Sequence, residues 1–571
     1  TDAHGKNQDV QSYIWNSELD DIMGNAMRLF QFEGESELNL KLDVPLDEDE
    51  MDVKVDGHIK FIDTDIYYSA LGYELKGING TVDFTEDSIF ADSMDAVIQG
   101  RHTSVNAYTR DAAAGREVVF HLDGVMDADY LLQRYDWIPP SWFSGSSNWA
   151  IDVEVPNNPK DYLVHIKTNS YLEDVDIRLS DSVSKPAKTR MQLSTEIDVL
   201  DDNGMRVIST ATPVGDADTE VDNIFDIFAT RDEDNIWHFD IRSEYMSGKG
   251  SFSEGLGRDT LVKLDMDNVD VYAMFYTKGK GDSKPLDPAL FPPLRWRVDK
   301  VLWDGWVFTD VEVDTDWHEH GMLINHYSLK GEAMTFDAHG TWLTNWRGAQ
   351  ETIMEGTITS SNLGTMLTDL GFERSINHSK YKATFTSRWP AEPYGLSWAN
   401  MTGETHFEMK NGEIVEVDPG AGGRLLGLLN IFKLTNRLAL DFDDVTRKGF
   451  AFDKIKGDFE FVNGDGSLKD FDVSAPAADI NMFGSIGILK RDYGLLMRVK
   501  PHTDTLTFAG GALLGGVVIG AGLALIQKVF DLSVIGHNVY SITGSWDDPV
   551  IKKIIEKSAD DDADVTDEDD F

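Results

Sequence analysis

The chain contains no cysteine among its 571 residues, which excludes disulfide bonds, thiolate metal sites and cysteine nucleophiles. Basic residues are also scarce. Only 51 lysines and arginines stand against 100 aspartates and glutamates, and the formal net charge is −49. Because contacts to nucleic-acid phosphates require a positive surface, this balance argues against DNA or RNA as a partner. We therefore predict no nucleic-acid binding.

Recognisable catalytic motifs are missing as well. The sequence contains no nucleophile elbow, no dinucleotide-binding fingerprint and no EF-hand loop. Carboxylates are so numerous that close pairs such as Asp314 and Asp316 are expected by chance, and we assign this pair to a solvated turn. His318 and His320 could hold a metal, but no third ligand is identifiable, so an exposed loop ending at Gly321 is the simpler interpretation. We predict no catalysis, no metal and no cofactor.

Long hydrophobic runs are nearly absent, with one exception near the C-terminus. Residues 505–527 carry no charged side chain, although 26% of the chain is charged. A straight helix of this length would be about 34 Å long, enough to cross the hydrocarbon core of a bilayer. Small residues recur at every fourth position from Ala512 to Ala524, a spacing that lets helices pack closely in membranes. Lipid insertion and a buried helical hairpin both fit this pattern.

Most of the remaining sequence is typical of β-strands, because apolar and polar residues alternate. The alternation is clear in residues 38–44, 51–55, 59–61 and 151–155. It predicts half-buried strands with one apolar face. Short turn signals predict hairpins between strands at residues 201–204, at Asn411-Gly412 and at Asn463-Gly464.

A loose internal repeat is centred on a glycine. An apolar residue precedes the glycine, and alternating apolar positions follow it. Three clear copies and one weaker copy cover residues 78–84, 401–407, 455–461 and 328–334. Their irregular spacing argues against propellers and short-repeat solenoids. The repeat instead predicts an extended sheet with one apolar face, which must curl on itself or meet something that is not protein.

Few helices are predicted: residues 130–135, 362–370, 425–434 and the uncharged run. We extend the third to residues 423–436, because this segment is amphipathic. Its apolar face consists of Leu425, Leu428, Leu429 and Phe432. Its charged residues are all basic, namely Arg424, Lys433 and Arg437. This helix could plug one end of the sheet core, or rest on a membrane with its basic residues toward phosphates.

The order of motifs in the last third of the chain resembles a known family. Residues 423–428, 437–442 and 448–457, and later 540–549, are similar to the C-terminal region of AsmA-like proteins of the YhdP type. These belong to the AsmA/TamB/YhdP superfamily of intermembrane lipid-transport proteins. The resemblance is specific over residues 331–550. The chain lacks the family's N-terminal transmembrane helix and first repeats, so we expect a C-terminal fragment.

The resemblance implies a mainly β fold, an elongated and curled antiparallel sheet that forms an open apolar groove, with a few helices near the C-terminal end. It implies a bridge-like conduit for glycerophospholipids between the inner and outer membranes, with acyl chains held in the groove. The partners would be phospholipids and both membranes, and further periplasmic protein partners stay unknown. The alternative is a β-rich scaffold or adhesin-like protein in the periplasm or at the cell surface that binds another protein.

The resemblance also implies a location. The protein would lie in the periplasm, anchored in the inner membrane by an N-terminal helix absent from this chain, with its C-terminal end toward the outer membrane. We expect β-groove repeats in residues 1–330 and a β-groove with a short helix in 331–418. A C-terminal region in 419–558 would hold the amphipathic helix 423–436 and an apolar, glycine-rich helical segment at 505–530. A disordered acidic tail would occupy 559–571.

Candidate site residues follow from the alternation and from the two apolar segments. The groove would be lined by Val82, Phe84, Phe407, Met409, Phe459 and Phe461. Membrane contact, or a cap on the groove, would involve Leu425, Leu428, Leu429, Phe432, Leu513, Leu514, Gly516, Val517, Ile519, Gly520 and Leu523. Lipid headgroups would face Arg424, Lys433 and Arg437.

Overall fold

The computed structural model shows a mainly β protein that divides into two compact units, Thr1–Leu286 and Asp287–Phe571. The described residues are 2–15, 30–43, 54–68, 72–85, 87–112, 115–128, 142–157, 159–178, 184–201, 204–214, 224–254, 260–275, 287–303, 305–371, 374–397, 399–415, 450–502, 538–546 and 548–554. Boundaries at residues 330, 418 and 558 stay predictions.

The first unit contains one main antiparallel sheet in which each strand pairs with the next. Its strands are β1 (Asp2–Lys6), β2 (Phe30–Asp43), β3 (Lys54–Tyr68), β4 (Tyr73–Thr85), β5 (Ile89–Ile98), β6 (Arg101–Ala112), β7 (Gly115–Asp127), β9 (Ser146–Pro156), β10 (Val164–Ser170), β13 (Met191–Val199), β14 (Met205–Pro213), β15 (Phe225–Arg231), β16 (Ile236–Ser243), β17 (Met246–Ser253) and β18 (Val262–Asp270). A small second sheet consists of β8 (Phe143–Ser144), β11 (Asp176–Arg178) and β12 (Ser184–Lys185). Two short helices, α1 (Asn7–Trp15) and α2 (Val271–Phe275), complete the unit.

The strands of the second unit are also paired antiparallel. Its strands are β19 (Leu294–Trp303), β20 (Trp306–His318), β21 (Gly321–Lys330), β22 (Met334–Thr344), β23 (Gln350–Ser360), β24 (Ile376–Asn377), β25 (Lys380–Trp389), β26 (Thr402–Ile414), β27 (Phe450–Val462), β28 (Asp465–Ser474), β29 (Ala478–Gly487), β30 (Asp492–Pro501), β31 (Asn538–Ser545) and β32 (Pro549–Ile554). Its helix α3 (Leu363–Asp369) confirms the helix predicted at 362–370. Two 3₁₀ turns lie at Pro288–Leu290 and Pro393–Gly395.

The main sheet of the first unit curls toward one face. Side chains near β3 and β10 share one buried cluster, although β4–β7 and β9 lie between these strands in the sheet. The cluster consists of Tyr68, Leu163, Val164, Ile166 and Val199. In a flat sheet, strands six steps apart would be separated by about 29 Å, at ~4.8 Å per step. Contact between them therefore requires strong curvature, as the uncovered apolar face predicted.

In two copies of the sequence repeat, the glycine makes room for an aromatic ring on the neighbouring strand. In the β26–β27 pair, Gly457 lies directly opposite Phe407, and Gly403 lies opposite Phe461. A Cβ atom on Gly457 would stand 2.8 Å from Cζ of Phe407, so the ring covers the glycine. Such cross-strand pairing of a glycine with an aromatic ring stabilises sheets. The copies at Gly403 and Gly457 thus form a packing unit of two strands.

Two of the three predicted hairpin turns are confirmed. Asn463 and Gly464 join β27 to β28 with φ of 49° and 86°, and a type I′ turn requires positive φ at both positions. At the first predicted turn, the N–H of Leu200 donates to the carbonyl of Gly204 at 2.9 Å. The prediction at Asn411-Gly412 is wrong, because both residues lie inside β26.

Asn411 has a different role. Its φ of 54° interrupts the regular alternation of the strand, so that Met409 and Ile414 are both buried although they are five residues apart. The turn signal therefore marks an irregularity within a strand. The assignment of Asp314 and Asp316 to a solvated turn is also wrong. They lie in β20, where both carboxylates approach the Arg295 guanidinium, at 3.5 and 3.4 Å.

Replacing Gly457 by alanine should destabilise the protein. The new methyl group would collide with the Phe407 ring, and overpacking of this kind costs about 1–3 kcal/mol. Urea titration measures the change in the free energy of unfolding. Gly331→Ala is the matched control, because its Cβ would meet Met334 at an ordinary 3.5 Å, and its effect should stay within about 0.5 kcal/mol. Equal effects of the two substitutions would contradict the packing role of Gly457.

The apolar inner face as candidate functional site

The register of the first unit places one apolar residue from every main-sheet strand between β5 and β18 in a continuous line. We call this line the inner row. It consists of Ala91, Ala107, Phe120, Val153, Ile166, Ile197, Val207, Ala229, Phe239, Gly250 and Leu264. Directly paired residues in an antiparallel sheet share a face. The inner row is therefore an uninterrupted apolar strip that crosses the sheet perpendicular to its strands.

The second unit has an equivalent strip from β21 to β31. It consists of Leu329, Phe336, Ile358, Ala383, Phe407, Gly457, Phe471, Met482, Met497 and Tyr540. The two strips arise from the same rule, because strand residues alternate between two faces with a period of two. We refer to the face that carries them as the inner face of each unit.

On the opposite, outer face of the second unit, the row of residues beside the strip is polar. The residues next to the strip in the second unit are Lys330, Thr335, Thr359, Lys382, Glu408, Lys456, Asp472, Asn481 and Arg498. Several of them form cross-strand ion pairs, including Lys456 with Asp472 at 2.9 Å. Hydrogen bonds from Lys410 and Lys454 lower the pKa of Glu408 to about 2. The outer face is therefore suited to water, whereas the inner face is not.

The predicted groove residues all lie on the inner faces. Val82 pairs with Ile59 and Phe84 pairs with Gly57 in the first unit, and both side chains are half-buried. In the second unit, Phe407 is half-buried as well. The remaining three are buried in a protein core, with exposures of 5% for Met409, 7% for Phe459 and 4% for Phe461. The structure therefore brings the last four together on one face.

Helix α3 explains part of this difference in burial. It crosses between β23 and β25, and its side chains Leu363, Met366 and Leu367 join the core that contains Phe459 and Phe461. Asn362 caps the helix by accepting a hydrogen bond from the N–H of Thr365. The inner face near this helix is filled by the protein's own side chains. Sequence analysis predicted the helix but not that it packs against the inner face. The apolar residues of a short helix do not show which surface they will contact.

Several predicted features lie outside the described residues. They are the helix at 130–135, the amphipathic helix 423–436 with its apolar and basic residues, and the apolar segment 505–530 with its membrane-contact residues. Within the described ranges, no helix has the length and apolar character needed to cross a bilayer. At the hairpin of His318 and His320, β20 ends at His318 and β21 begins at Gly321, which confirms the predicted loop.

Histidines on the outer faces form cross-strand pairs with carboxylates, a feature that sequence analysis missed. Directly opposed pairs are His58 with Asp83, His121 with Asp152, His165 with Asp198, and His406 with Asp458. Nδ1 of His121 lies 2.6 Å from Asp152, and its Nε2 lies 2.8 Å from Asp123. The hydrogen bond to Asp152 raises the pKa of His121 above 6.5. Only the strand register reveals these partners.

The His121 pair should make stability depend on pH. Because its pKa is raised by folding, the stabilisation is fully present below the unfolded pKa of about 6.5 and is lost as the pH rises through the folded value. NMR titration of the imidazole should show a pKa above 6.5, and Asp152→Asn should lower it. The outer-face substitution Asp240→Asn is the control and should leave the titration unchanged. A His121 pKa that Asp152→Asn does not lower would contradict the pairing.

Comparison with known proteins shows which family the chain belongs to. A protein-family model described as "YhdP protein" matches residues 1–215 and 218–551. The Escherichia coli (strain K12) protein named "Intermembrane phospholipid transporter YhdP" is 21% identical over 645 aligned positions, which cover 97% of this chain and 50% of that protein. The chain thus spans about half the length of this curated relative. No solved structure matches. The chain belongs to the YhdP protein family.

Proposed function

We propose that this chain is part of a bridge-like conduit for glycerophospholipids between the inner and outer membranes. The observation that carries the proposal is the inner row, an apolar strip that continues across the strands β5–β18. The neighbouring outer-face row from Asn106 to Asp265 is polar except for Ile208 and Phe228. The name of the curated relative supports the same function. The alternative of a protein-binding scaffold or adhesin finds no support in the comparisons.

Acyl chains would lie against the inner face and headgroups would stay in water at the groove edge. Each buried methylene group gains about 0.8 kcal/mol, so the half-buried members of the inner row, such as Val153, Val207 and Phe239, attract lipid tails strongly. Ten steps of ~4.8 Å give the inner row a path of about 50 Å. One leaflet of a bilayer core is about 15 Å thick, so several lipids could follow one another along the strip. Movement would be diffusive and would need no catalysis and no cofactor.

We assign a lipid-facing role to all six predicted groove residues, but their side chains differ in how accessible they are to acyl chains. Val82, Phe84 and Phe407 are half-buried, and acyl chains would reach them first. Met409, Phe459 and Phe461 contact the protein core, so lipid contact there would require the core to open. The segments 423–436 and 505–530 would serve as membrane contacts or as a cap at the C-terminal end. The polar outer face would face the periplasm.

Photo-crosslinking in cells tests the lipid-facing role. A crosslinking amino acid at Val82 or Phe239 should capture phospholipid, because both positions point into the inner face. The matched controls are the next residues in each strand, Asp83 and Asp240, which point to the outer face. Mass spectrometry of the adducts identifies the lipid.

The crosslinking yield at each residue should depend on how exposed its side chain is, as well as on which face of the sheet carries it. Capture at Phe459, which is 7% exposed, should be weaker than at Val82. Equal capture at Asp83 and Val82, or capture only at Asp83 and Asp240, would contradict a lipid-lined inner face.

A further inference from the structure

One buried arginine lies on the inner face of the first unit, next to the apolar inner row. Arg231 is the last residue of β15, and the alternation of that strand places it on the same face as Ala229 of the inner row. Its cross-strand partners are Met205 and Trp237. Among the inner-facing positions described from β5 to β18, it is the one buried basic side chain. The transport proposal gives this residue no role.

The Arg231 side chain is buried beside an aromatic ring and is paired with a partly exposed carboxylate. The side chain is only 4% exposed, and its Cζ lies 5.9 Å from the centre of the Trp237 ring. Its Nη1 donates to Oε2 of Glu254 at 2.8 Å, and the Glu254 side chain is 46% exposed. The guanidinium is therefore covered from the solvent side by a carboxylate that itself reaches into water. Exchange of that carboxylate for another anion would leave Glu254 hydrated.

The position of Arg231 fits the shape of a phospholipid. It stands at the end of its strand, two residues from Ala229, which corresponds to about 7 Å along a strand. A negatively charged group bound at Arg231 would thus lie at the sheet edge, with the apolar inner row directly beside it for an attached acyl chain. Val207 and Phe239 flank Ala229 in that row. An anionic head joined to apolar tails matches this order of charge and apolar surface.

We propose that Arg231 binds the phosphodiester group of a glycerophospholipid, and that the Glu254 carboxylate pairs with Arg231 when no lipid is bound. This inference rests on the proposed lipid-transport function. The planar guanidinium binds phosphate oxygens through two parallel hydrogen bonds, which a lysine cannot reproduce. The buried guanidinium then has an anionic partner both before and after lipid binds. This matters because an unpaired buried charge is costly. No covalent step is involved.

Equilibrium binding to the full chain tests the proposal. The probes are a short-chain phosphatidylethanolamine, a diacylglycerol with the same acyl chains and inorganic phosphate alone. Arg231→Gln should weaken phosphatidylethanolamine binding about tenfold, because hydrogen bonds to charged groups are strong, and should change diacylglycerol binding by less than about twofold. Arg206→Gln should change neither, since Arg206 lies on the outer face of β14 and pairs with Asp198. Inorganic phosphate should compete weakly, because it offers no acyl chain.

Removing the negative charge of Glu254 should change lipid affinity in the opposite direction. This test does not depend on the stability of the Arg231 variant. Glu254→Gln should strengthen phosphatidylethanolamine binding severalfold and leave diacylglycerol binding unchanged, because it weakens the competing anion. A purely structural ion pair would instead change the unfolding midpoint in both variants without any preference for the phosphate-containing lipid.

The outcomes separate the two proposals. If the wild type binds both lipids and Arg231→Gln affects them equally or not at all, the Arg231 site is wrong and the conduit stands. Phosphate that binds alone, in an Arg231-dependent manner and as tightly as the lipid, would overturn the lipid as ligand. If the wild type binds neither lipid, the conduit fails and the Arg231 site fails with it.

Discussion

The antiparallel hydrogen-bond register is the constraint on which the rest of the structure depends. It fixes which side chains stand opposite each other, and a slip of one residue would exchange the two faces of the sheet. Because the register is maintained from β5 to β18, every strand adds one apolar residue to the inner row. The continuous apolar strip in a strongly acidic chain follows from this pairing together with the alternation of apolar and polar residues along each strand.

The two faces of the sheet differ in how their side chains are accommodated. The outer face pairs its charges across strands, as Lys456 does with Asp472, and so it remains compatible with water despite the net charge of −49. The inner face is treated differently in the two units. Around helix α3 it is filled by buried side chains, whereas near Val82 and Phe84 it is only half covered. The partly covered stretch is where an apolar ligand gains most from binding.

Local patterns in the sequence predicted local structure well. The alternation at residues 38–44 and 151–155 identified strands, and the signal at Asn463-Gly464 identified a turn, because each depends on neighbouring residues only. The signal at Asn411-Gly412 failed because the long pairing of β26 with β27 continues past it. The repeat glycine was recognised, but its partner Phe407 was not, since the two residues are 50 positions apart. The roles of His121 and Arg231 depend on register in the same way.

Lipid content of a matched pair of variants tests the central claim most directly. Val207 and Ile208 are adjacent aliphatic residues of β14 that point to opposite faces, Val207 within the inner row and Ile208, 43% exposed, on the outer face. Phospholipid extracted from each purified protein and quantified by mass spectrometry gives the lipid bound per chain. The account predicts that Val207→Asp lowers this ratio severalfold, while Ile208→Asp leaves it at the wild-type value. Equal ratios in the two folded variants would contradict the assignment of the inner face as the lipid path.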